Sequence, residues 1–235
     1  MNLIRYLSGR APDPAVRAIR PFYYKYTDLK LKLAKFADAY RIIGPDDIYS
    51  EEYFEKRKSD PWWTEARHIS SVIDDQFSPN SVIDFGCAIG HYLKPFHEEE
   101  ATIKGVEGSD KARKHLVIPE NKFESHDLRD PYRPEMKYDL ALCFEVAEHL
   151  PRKYADTLVK TVTSSSDTII FTAAQPGQGG DHHVHLRSRD YWIEMFEDVG
   201  FEYSPDETQT ICQNVDVDHL DYMQENLFIF QREIE

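Results

Sequence analysis

The sequence contains little cysteine and no long apolar run. Its three cysteines, Cys87, Cys143 and Cys212, are far apart and form no CxxC pair. An odd, scattered set argues against a disulfide framework and is typical of a reducing compartment. No stretch of about 18 apolar residues is present, so the sequence predicts no transmembrane helix. The opening residues, MNLIRYLSGRAPDP, are interrupted by Arg, Gly and Pro and do not resemble a secretory signal. We therefore expect a cytoplasmic protein.

Positive charge is also scarce. The chain carries 28 Lys and Arg against 42 Asp and Glu, a formal net charge of −14. Such a surface repels phosphate backbones and anionic lipids, so neither a nucleic acid nor a membrane surface is the expected partner. A local basic patch has four candidates, but the solvated face of an amphipathic helix explains them more simply. They are Lys25, Lys30, Lys32 and Lys35.

Strand-like runs are missing from the N-terminal third of the chain. Apolar residues at near-helical spacing predict a helix within residues 15–43, broken at Gly44–Pro45. Two further helices are predicted in YSEEYFEKR, with Ser50 as its N-cap, and in PWWTEARHISSVIDDQF. We interpret residues 1–78 as a helical N-terminal cap in front of a main domain, residues 79–235.

From residue 81 onward, short apolar runs alternate with helical patterns. The predicted strands are SVIDFG, TIKGVEG, NKFESHD, YDLALCFE, DTIIFTAA, FEYS and NLFIFQRE. Strand–helix alternation implies parallel strands joined by crossovers. The last two runs have no clear crossover pattern between them, which predicts an antiparallel, hairpin-like addition. The expected fold is α/β, with a Rossmann-like, doubly wound sheet of seven strands, mostly parallel, whose last strand is antiparallel.

The stretch DFGCAIG joins the first of these strands to a helix. Asp84 ends the strand, and Gly86 and Gly90 flank a tight turn in which glycine permits unusual dihedral angles and close approach of a ligand. Ala88 stands where a third glycine is common, which makes the pattern less specific. A plain strand–turn–helix connection is the alternative interpretation.

Acidic residues end the next two strands. Glu107, in GVEGSD, has the position of an acid that accepts hydrogen bonds from ribose hydroxyls in nucleotide-binding sheets. Asp127, in SHDLRD, can accept from an adenine amino group, or it is an ordinary turn residue. A dinucleotide-dependent dehydrogenase would need a pyrophosphate pocket, and the residues after the third small residue of the turn do not have the usual pattern.

In their order and spacing, five segments resemble the class I S-adenosylmethionine-dependent methyltransferases over residues 80–204. They are VIDFGCAIG, GVEGS, SHDLRDP, YDLALCFEVAEHLP and TIIFTAAQPG. The resemblance implies that Asp84 lines the methionine end of the cofactor and that Glu107 holds its ribose. It also implies adenine contacts at Asp127 and a position for Glu145 near the sulfonium. With their neighbours, the implied cofactor-binding residues are Asp84, Gly86, Cys87, Ala88, Gly90, Glu107, Gly108, Asp127, Leu128 and Glu145.

The segment FEVAEHL follows the fourth predicted strand and has an E-x-x-E-H arrangement, Glu145, Glu148 and His149. It is similar to that of ubiquinone-pathway O-methyltransferases and small-RNA 2′-O-methyltransferases. In those groups it binds a divalent metal, which implies Mg²⁺ or Mn²⁺ here, and the RNA enzymes add a further histidine downstream.

This chain offers three histidines after the fifth strand, in GGDHHVHLRSRDYW. Of these, His183 best matches the family's distance to the following helix, and His182 and His185 are the alternatives. The metal set implied by the resemblance is Glu145, Glu148, His149 and His183, and the catalytic residues are Glu148, His149 and His183. Two metal-free interpretations stand beside it: His149 acts as a general base, or Glu148 and His149 merely precede the helix that starts near Pro151.

Aromatic residues are dense in the predicted cap. The cluster consists of Tyr49, Tyr53, Phe54, Trp62 and Trp63. Aromatic faces suit a sulfonium through cation–π contact and wall hydrophobic pockets. Tyr53 is the expected cofactor contact, although packing of the cap against the sheet explains each of these residues as well.

The sequence therefore predicts an enzyme that methylates a hydroxyl of a small molecule, with or without a divalent metal. A nucleic-acid or protein methyltransferase on the same fold is the first alternative, and the acidic net charge argues against nucleic acid. No NPPY-like tetrapeptide follows the fourth strand, which disfavours methylation of nucleobase amino groups. A non-catalytic binding protein is the second alternative, disfavoured by the full set of acids at the strand ends.

Overall fold

A computed structural model describes residues 37–38, 41–180 and 182–233. Most of the helix predicted within residues 15–43, and all four candidate lysines, lie outside the described residues. Residues Gly44–Glu235 form one compact unit. The division of the chain at residue 78 stays a prediction.

Eight α-helices are described in this unit: α1 (Pro45–Ile48), α2 (Glu51–Lys56), α3 (Trp62–Phe77), α4 (Leu93–Glu98), α5 (Ala155–Ser165), α6 (Arg189–Glu197), α7 (Pro205–Asn214) and α8 (Tyr222–Asn226). Four short 3₁₀ helices accompany them, at Asp110–His115, Glu120–Lys122, Ala147–His149 and Arg152–Tyr154. The predicted cap of α2 is confirmed, because the Ser50 hydroxyl accepts a hydrogen bond from the Tyr53 backbone N–H at 3.3 Å. No helix among the described residues combines the length and apolar character that a membrane span requires.

The strands form one seven-stranded sheet: β1 (Ser81–Phe85), β2 (Thr102–Glu107), β3 (Phe123–Ser125), β4 (Leu140–Cys143), β5 (Thr168–Thr172), β6 (Phe201–Tyr203) and β7 (Leu227–Arg232). Their order is β3-β2-β1-β4-β5-β7-β6. β1 to β5 pair in parallel, and β7 lies antiparallel between β5 and β6. The predicted doubly wound sheet with an antiparallel last strand is confirmed.

The predicted hairpin-like connection between the last two strands is wrong in detail. β6 and β7 do pair antiparallel, but α7 and α8 lie between them in the chain. Helix α7 was not predicted from the sequence. Its segment PDETQTICQN buries only Thr208 and Ile211, and so few buried positions give no clear helical pattern.

Alternation along the central strands builds a core on each face of the sheet. Val82 packs into one cluster with Ile69 of α3 and Phe96 of α4. Ile83, the next residue, packs into the other cluster with Trp192 of α6. All five residues of β1 and all four of β4 are buried, as expected for parallel strands covered on both faces. The carboxyl ends of β1, β2, β4 and β5 therefore open onto one edge, where ligands bind in sheets of this type.

Candidate active site

The turn after β1 is tightly packed. Gly86 and Gly90 have φ angles of +76° and +81°, and Ala88 between them has +48°. A Cβ atom added to Gly86 would lie 2.3 Å from Val146 Cγ2, and one added to Gly90 would lie 2.7 Å from Ile118 Cγ1. Both glycines are therefore required by backbone geometry and by space. Ala88 adopts the left-handed region that the turn demands, so the missing glycine leaves its shape intact.

Asp84 and Glu107 lie beside this turn as buried carboxyls, 1% and 7% exposed. Burial, followed by the charge of Glu107, raises the pKa of Asp84 well above its usual range. Asp84 Oδ2 has no hydrogen-bond partner among the described residues. Glu107 accepts hydrogen bonds from the backbone N–H groups of Ala88 at 3.0 Å and Ser109 at 2.9 Å. Burial raises the pKa of Glu107 even so. A ligand that brings positive charge or hydroxyl donors would stabilise both groups.

Asp127 lies at the end of β3 in an ion pair with Arg129. Its carboxylate accepts from the Arg129 backbone N–H at 2.9 Å and from the guanidinium Nη2 at 2.7 Å. The turn interpretation therefore accounts for much of its hydrogen bonding. Leu128, the neighbouring predicted contact, is 6% exposed and packs in the core.

Glu145 and Glu148 are close together after β4. Glu145 has a φ angle of +53°, its N–H donates to Thr172 Oγ1 at 2.8 Å, and its carboxylate accepts from Asn226 Nδ2 at 3.2 Å. Glu148 is fully buried, and neither of its carboxyl oxygens has a well-aligned partner among the described residues. Burial and the neighbouring Glu145 raise the pKa of Glu148 well above its usual range. Such a pair is costly unless a proton or a cation lies between its members.

The loop after β5 brings His183 to this segment. The Glu148 carbonyl accepts from the backbone N–H groups of Val184 at 2.8 Å and His185 at 3.0 Å. One potential ligand atom from each of Glu148, His149 and His183 lies within 4.8 Å of the others. The two imidazole rings of this group are 5.0 Å apart in an edge-to-face arrangement.

The His149 ring is held as a neutral group. Burial, then His183 and His182, lowers the pKa of His149 to about 3. His149 Nδ1 is buried with no hydrogen-bond partner among the described residues. His185 lies elsewhere, buried against Tyr191 and Trp192 at ring distances of 5.6 Å and 5.5 Å.

The predicted aromatic cluster divides into several environments. Tyr49 and Tyr53 pack together with ring centroids 4.7 Å apart, and both phenol pKa values are raised, mainly by burial. Phe54 is 1% exposed and belongs to the core. Trp62 packs on His219 at 4.4 Å, and Trp63 lies under the guanidinium of Arg67, at 5.7 Å. Packing therefore explains Phe54, whereas Tyr53 stays a candidate contact.

Three further residues of this region were not predicted: Arg57, Tyr222 and Asn226. Arg57 stacks on Tyr53 with its guanidinium carbon 3.5 Å from the ring centroid. Burial, then Glu145, raises the pKa of Tyr222. No local signal marks these residues, because Arg57 lies in a highly charged segment and the other two lie in α8, far along the chain.

Comparisons with known proteins agree with the fold. The fold and the acid-lined edge define a class I S-adenosylmethionine-dependent methyltransferase. A family model described as a methyltransferase domain matches residues 63–205, more than half of the chain, and the chain belongs to that family. No curated protein matches the sequence.

Solved structures with the same fold include enzymes with different acceptors. The sugar N-methyltransferase KedS8 of Streptoalloteichus sp ATCC 53650 is 14% identical, with a TM-score of 0.59 over 82% of this chain and 94% of its own. The magnesium protoporphyrin IX methyltransferase of Synechocystis PCC 6803, solved with S-adenosylhomocysteine, is 18% identical, with a TM-score of 0.51 over 72% and 82%. A Brevibacillus brevis O-methyltransferase from a polyketide synthase multienzyme is 16% identical, with a TM-score of 0.52 over 72% of each chain. At these identities the similarity establishes the fold alone.

Proposed function

We propose that this methyltransferase acts on a hydroxyl of a small molecule, and that Glu148, His149 and His183 serve the acceptor. The observation that carries the proposal is the convergence of these three side chains to within 4.8 Å. They lie at the same sheet edge as the turn after β1, so an acceptor there would be adjacent to the cofactor. The net charge of −14 favours a small molecule over a nucleic acid.

A neutral hydroxyl is a weak nucleophile and needs help to lose its proton. The reaction forms an O–CH₃ bond, breaks the S–CH₃ bond of S-adenosylmethionine and releases the hydroxyl proton. A side chain or a metal must assist the loss of that proton at neutral pH. We assign this task to the group Glu148, His149 and His183, and orientation of the acceptor to the same residues.

This group fits a divalent ion, Mg²⁺ or Mn²⁺. It offers one carboxyl and two imidazoles, and both Glu148 oxygens and His149 Nδ1 are buried without a well-aligned partner among the described residues. Buried polar atoms of this kind call for a cation or a proton. When bound, the ion would lower the pKa of the acceptor hydroxyl. The E-x-x-E-H resemblance implies the same three ligands with Glu145 as a fourth, and Glu145 is not part of the group whose ligand atoms converge to within 4.8 Å.

For the cofactor side we propose the contacts that the resemblance implies. Asp84 would receive the positively charged methionine end and Glu107 the ribose hydroxyls, supported by their burial and raised pKa values. Asp127 and Leu128 would border the adenine. Tyr53 would cover the cofactor, as one wall of the site.

Metal titration of three variants tests the acceptor group. Calorimetry with Mg²⁺, Mn²⁺ and Zn²⁺, in the presence of S-adenosylhomocysteine, should show binding to the wild type and none to Glu148→Gln or His183→Asn. His182→Asn is the matched control, since Asn tolerates the φ angle of +60° at that position.

Silence for all three ions in the wild type would remove the metal from the proposal. Acceptor screening then decides the rest, with release of S-adenosylhomocysteine as the readout over phenols, catechols, sugars and their amino analogues. Turnover of amines alone would contradict O-methylation.

A further inference from the structure

Arg57 places a guanidinium inside the candidate active site. It caps the C-terminus of α2, and its Nη1 donates to the Tyr53 carbonyl at 2.7 Å. The guanidinium carbon lies 3.5 Å from the Tyr53 ring centroid and 5.5 Å from that of Trp62. The side chain is partly buried. Two aromatic rings and one carbonyl therefore fix the cation in place.

This cation has no acidic partner within the described residues. Several other arginines in the unit form ion pairs: Arg67 with Glu98 at 2.7 Å, Arg113 with Asp110 at 3.0 Å, and Arg129 with Asp127 at 2.7 Å. Arg57 forms none among these residues, although the chain is strongly acidic. Its donors that do not reach Tyr53 are available to a ligand.

The positive charge of Arg57 acts on several groups of the candidate site. Burial is the largest influence on the pKa of His91, Glu107 and Tyr222, and the positive charge of Arg57 lowers each of them. These residues follow the turn after β1, end β2 and begin α8. The ring contacts agree with this position, because the Tyr53 ring on which Arg57 stacks lies 4.7 Å from that of Tyr49, and the Tyr49 ring lies 6.1 Å from that of His149.

The cofactor has a chemical group that needs such a charge. S-adenosylmethionine carries a sulfonium, an ammonium and a carboxylate on its methionine end. Asp84, Glu107 and Glu145 suit cations and hydroxyls, but they repel a carboxylate. Burial of that carboxylate among acids would be costly without a cation, and a guanidinium binds a carboxylate through two parallel hydrogen bonds.

We propose that Arg57 binds the carboxylate of the cofactor's methionine end. The assignment rests on use of S-adenosylmethionine and is independent of the metal and of the acceptor. The Tyr53 ring and carbonyl both contact the guanidinium, so Tyr53 contributes to cofactor binding by positioning Arg57.

A comparison of two ligands isolates the carboxylate. S-adenosylhomocysteine and its decarboxylated analogue, which keeps the amine, are titrated by calorimetry into the wild type, Arg57→Met and Arg57→Lys. The wild type should prefer S-adenosylhomocysteine about tenfold to a hundredfold, the range of a charge-assisted pair. Arg57→Met should abolish that preference with little change for the analogue, and Arg57→Lys should keep part of it.

Arg67→Met is the matched control, because Arg67 also covers an aromatic ring, at 5.7 Å, but pairs with Glu98 on the surface. It should leave both affinities unchanged, and thermal denaturation confirms that each variant is folded. An equal loss of both ligands in Arg57→Met would reduce Arg57 to a packing residue and overturn the proposal. Unchanged affinity for both ligands would overturn it as well.

Discussion

Two halves of the site are built in different ways. The proposed cofactor side is centred on residues 84–90 and 107–109, where the Ala88 N–H donates to the Glu107 carboxylate, 19 residues away in sequence. The proposed acceptor side comprises residues 145–149, 180 and 182–185, where the Val184 N–H donates to the Glu148 carbonyl, 36 residues away. The first half is fixed by one strand–turn–helix unit, whereas the second depends on a loop that docks onto a turn.

The difference explains how one fold accepts different substrates. A cofactor shared by all members needs a site that local backbone geometry maintains. An acceptor that differs among members is best served by segments that can change independently, as loops at a sheet edge do. The two halves should therefore fail separately when mutated.

The largest effect is expected on the cofactor side. Asp84→Asn and Glu107→Gln should each weaken binding of S-adenosylhomocysteine at least a hundredfold, because each removes a buried carboxyl group that we propose pairs with the ammonium or the ribose hydroxyls of the cofactor. Isothermal calorimetry measures the loss, and Glu98→Gln on the surface is the control. If both variants bind as tightly as the wild type, the cofactor side is wrongly assigned.

The opposite result is expected on the acceptor side. Glu148→Gln and His149→Asn should reduce kcat about a hundredfold, since they serve the loss of the acceptor proton. Affinity for S-adenosylhomocysteine should change by about threefold or less, because cofactor contacts are untouched. Kinetics with an identified acceptor, together with calorimetry, check this separation. Loss of cofactor binding in both variants would show that the two halves of the site do not function separately.

The difference between local and distant segments also explains which parts of the site the sequence could predict. The sequence predicts the positions of Asp84, Gly86, Gly90 and Glu107, because a strand, a turn and an acidic residue occur within a short local pattern. The parallel sheet could be predicted for the same reason, since its buried central strands are continuous apolar runs in the sequence.

Site residues contributed by distant segments could not be predicted from the sequence. Arg57 lies in EEYFEKRKSD, which has the composition of a solvated helix, and Tyr222 and Asn226 lie in an acidic stretch before β7. Tyr222 and Asn226 reach the site because α8 leads directly into β7, which lies between β5 and β6. The sequence predicted an antiparallel last strand, but not its insertion between these two strands. For the same reason, His183 could be distinguished from His182 and His185 only through the resemblance to the RNA methyltransferases.

A smaller effect is expected from a change that removes no polar group. A Cβ atom at Gly180 would lie 2.0 Å from His183 Nε2, so Gly180→Ala should displace that ring and lower kcat about tenfold. Gly179→Ala is the matched control, because a Cβ there meets nothing within 4 Å. Steady-state kinetics of the two variants test whether the acceptor side depends on loop placement. Equal activity in both would show that His183 is dispensable.

The smallest effect concerns stability, and it tests how tightly the cofactor side is closed. His91 follows the glycine turn, is 5% exposed, and burial and the charge of Arg57 lower its pKa to about 3. The unfolded state, with a pKa near 6.5, binds a proton that the folded state excludes, so stability falls as the pH falls below about 6.5.

Between pH 7 and 5.5 this residue should account for about 1 kcal/mol of lost stability, and His91→Leu should lose correspondingly less. Urea denaturation at the two pH values measures the difference, with the partly exposed His97→Leu as control. Parallel pH profiles for the wild type and His91→Leu would mean that the ring is protonated or hydrated in the folded state. The cofactor side would then open as readily as the acceptor loop, and the contrast between the halves would rest on sequence separation alone.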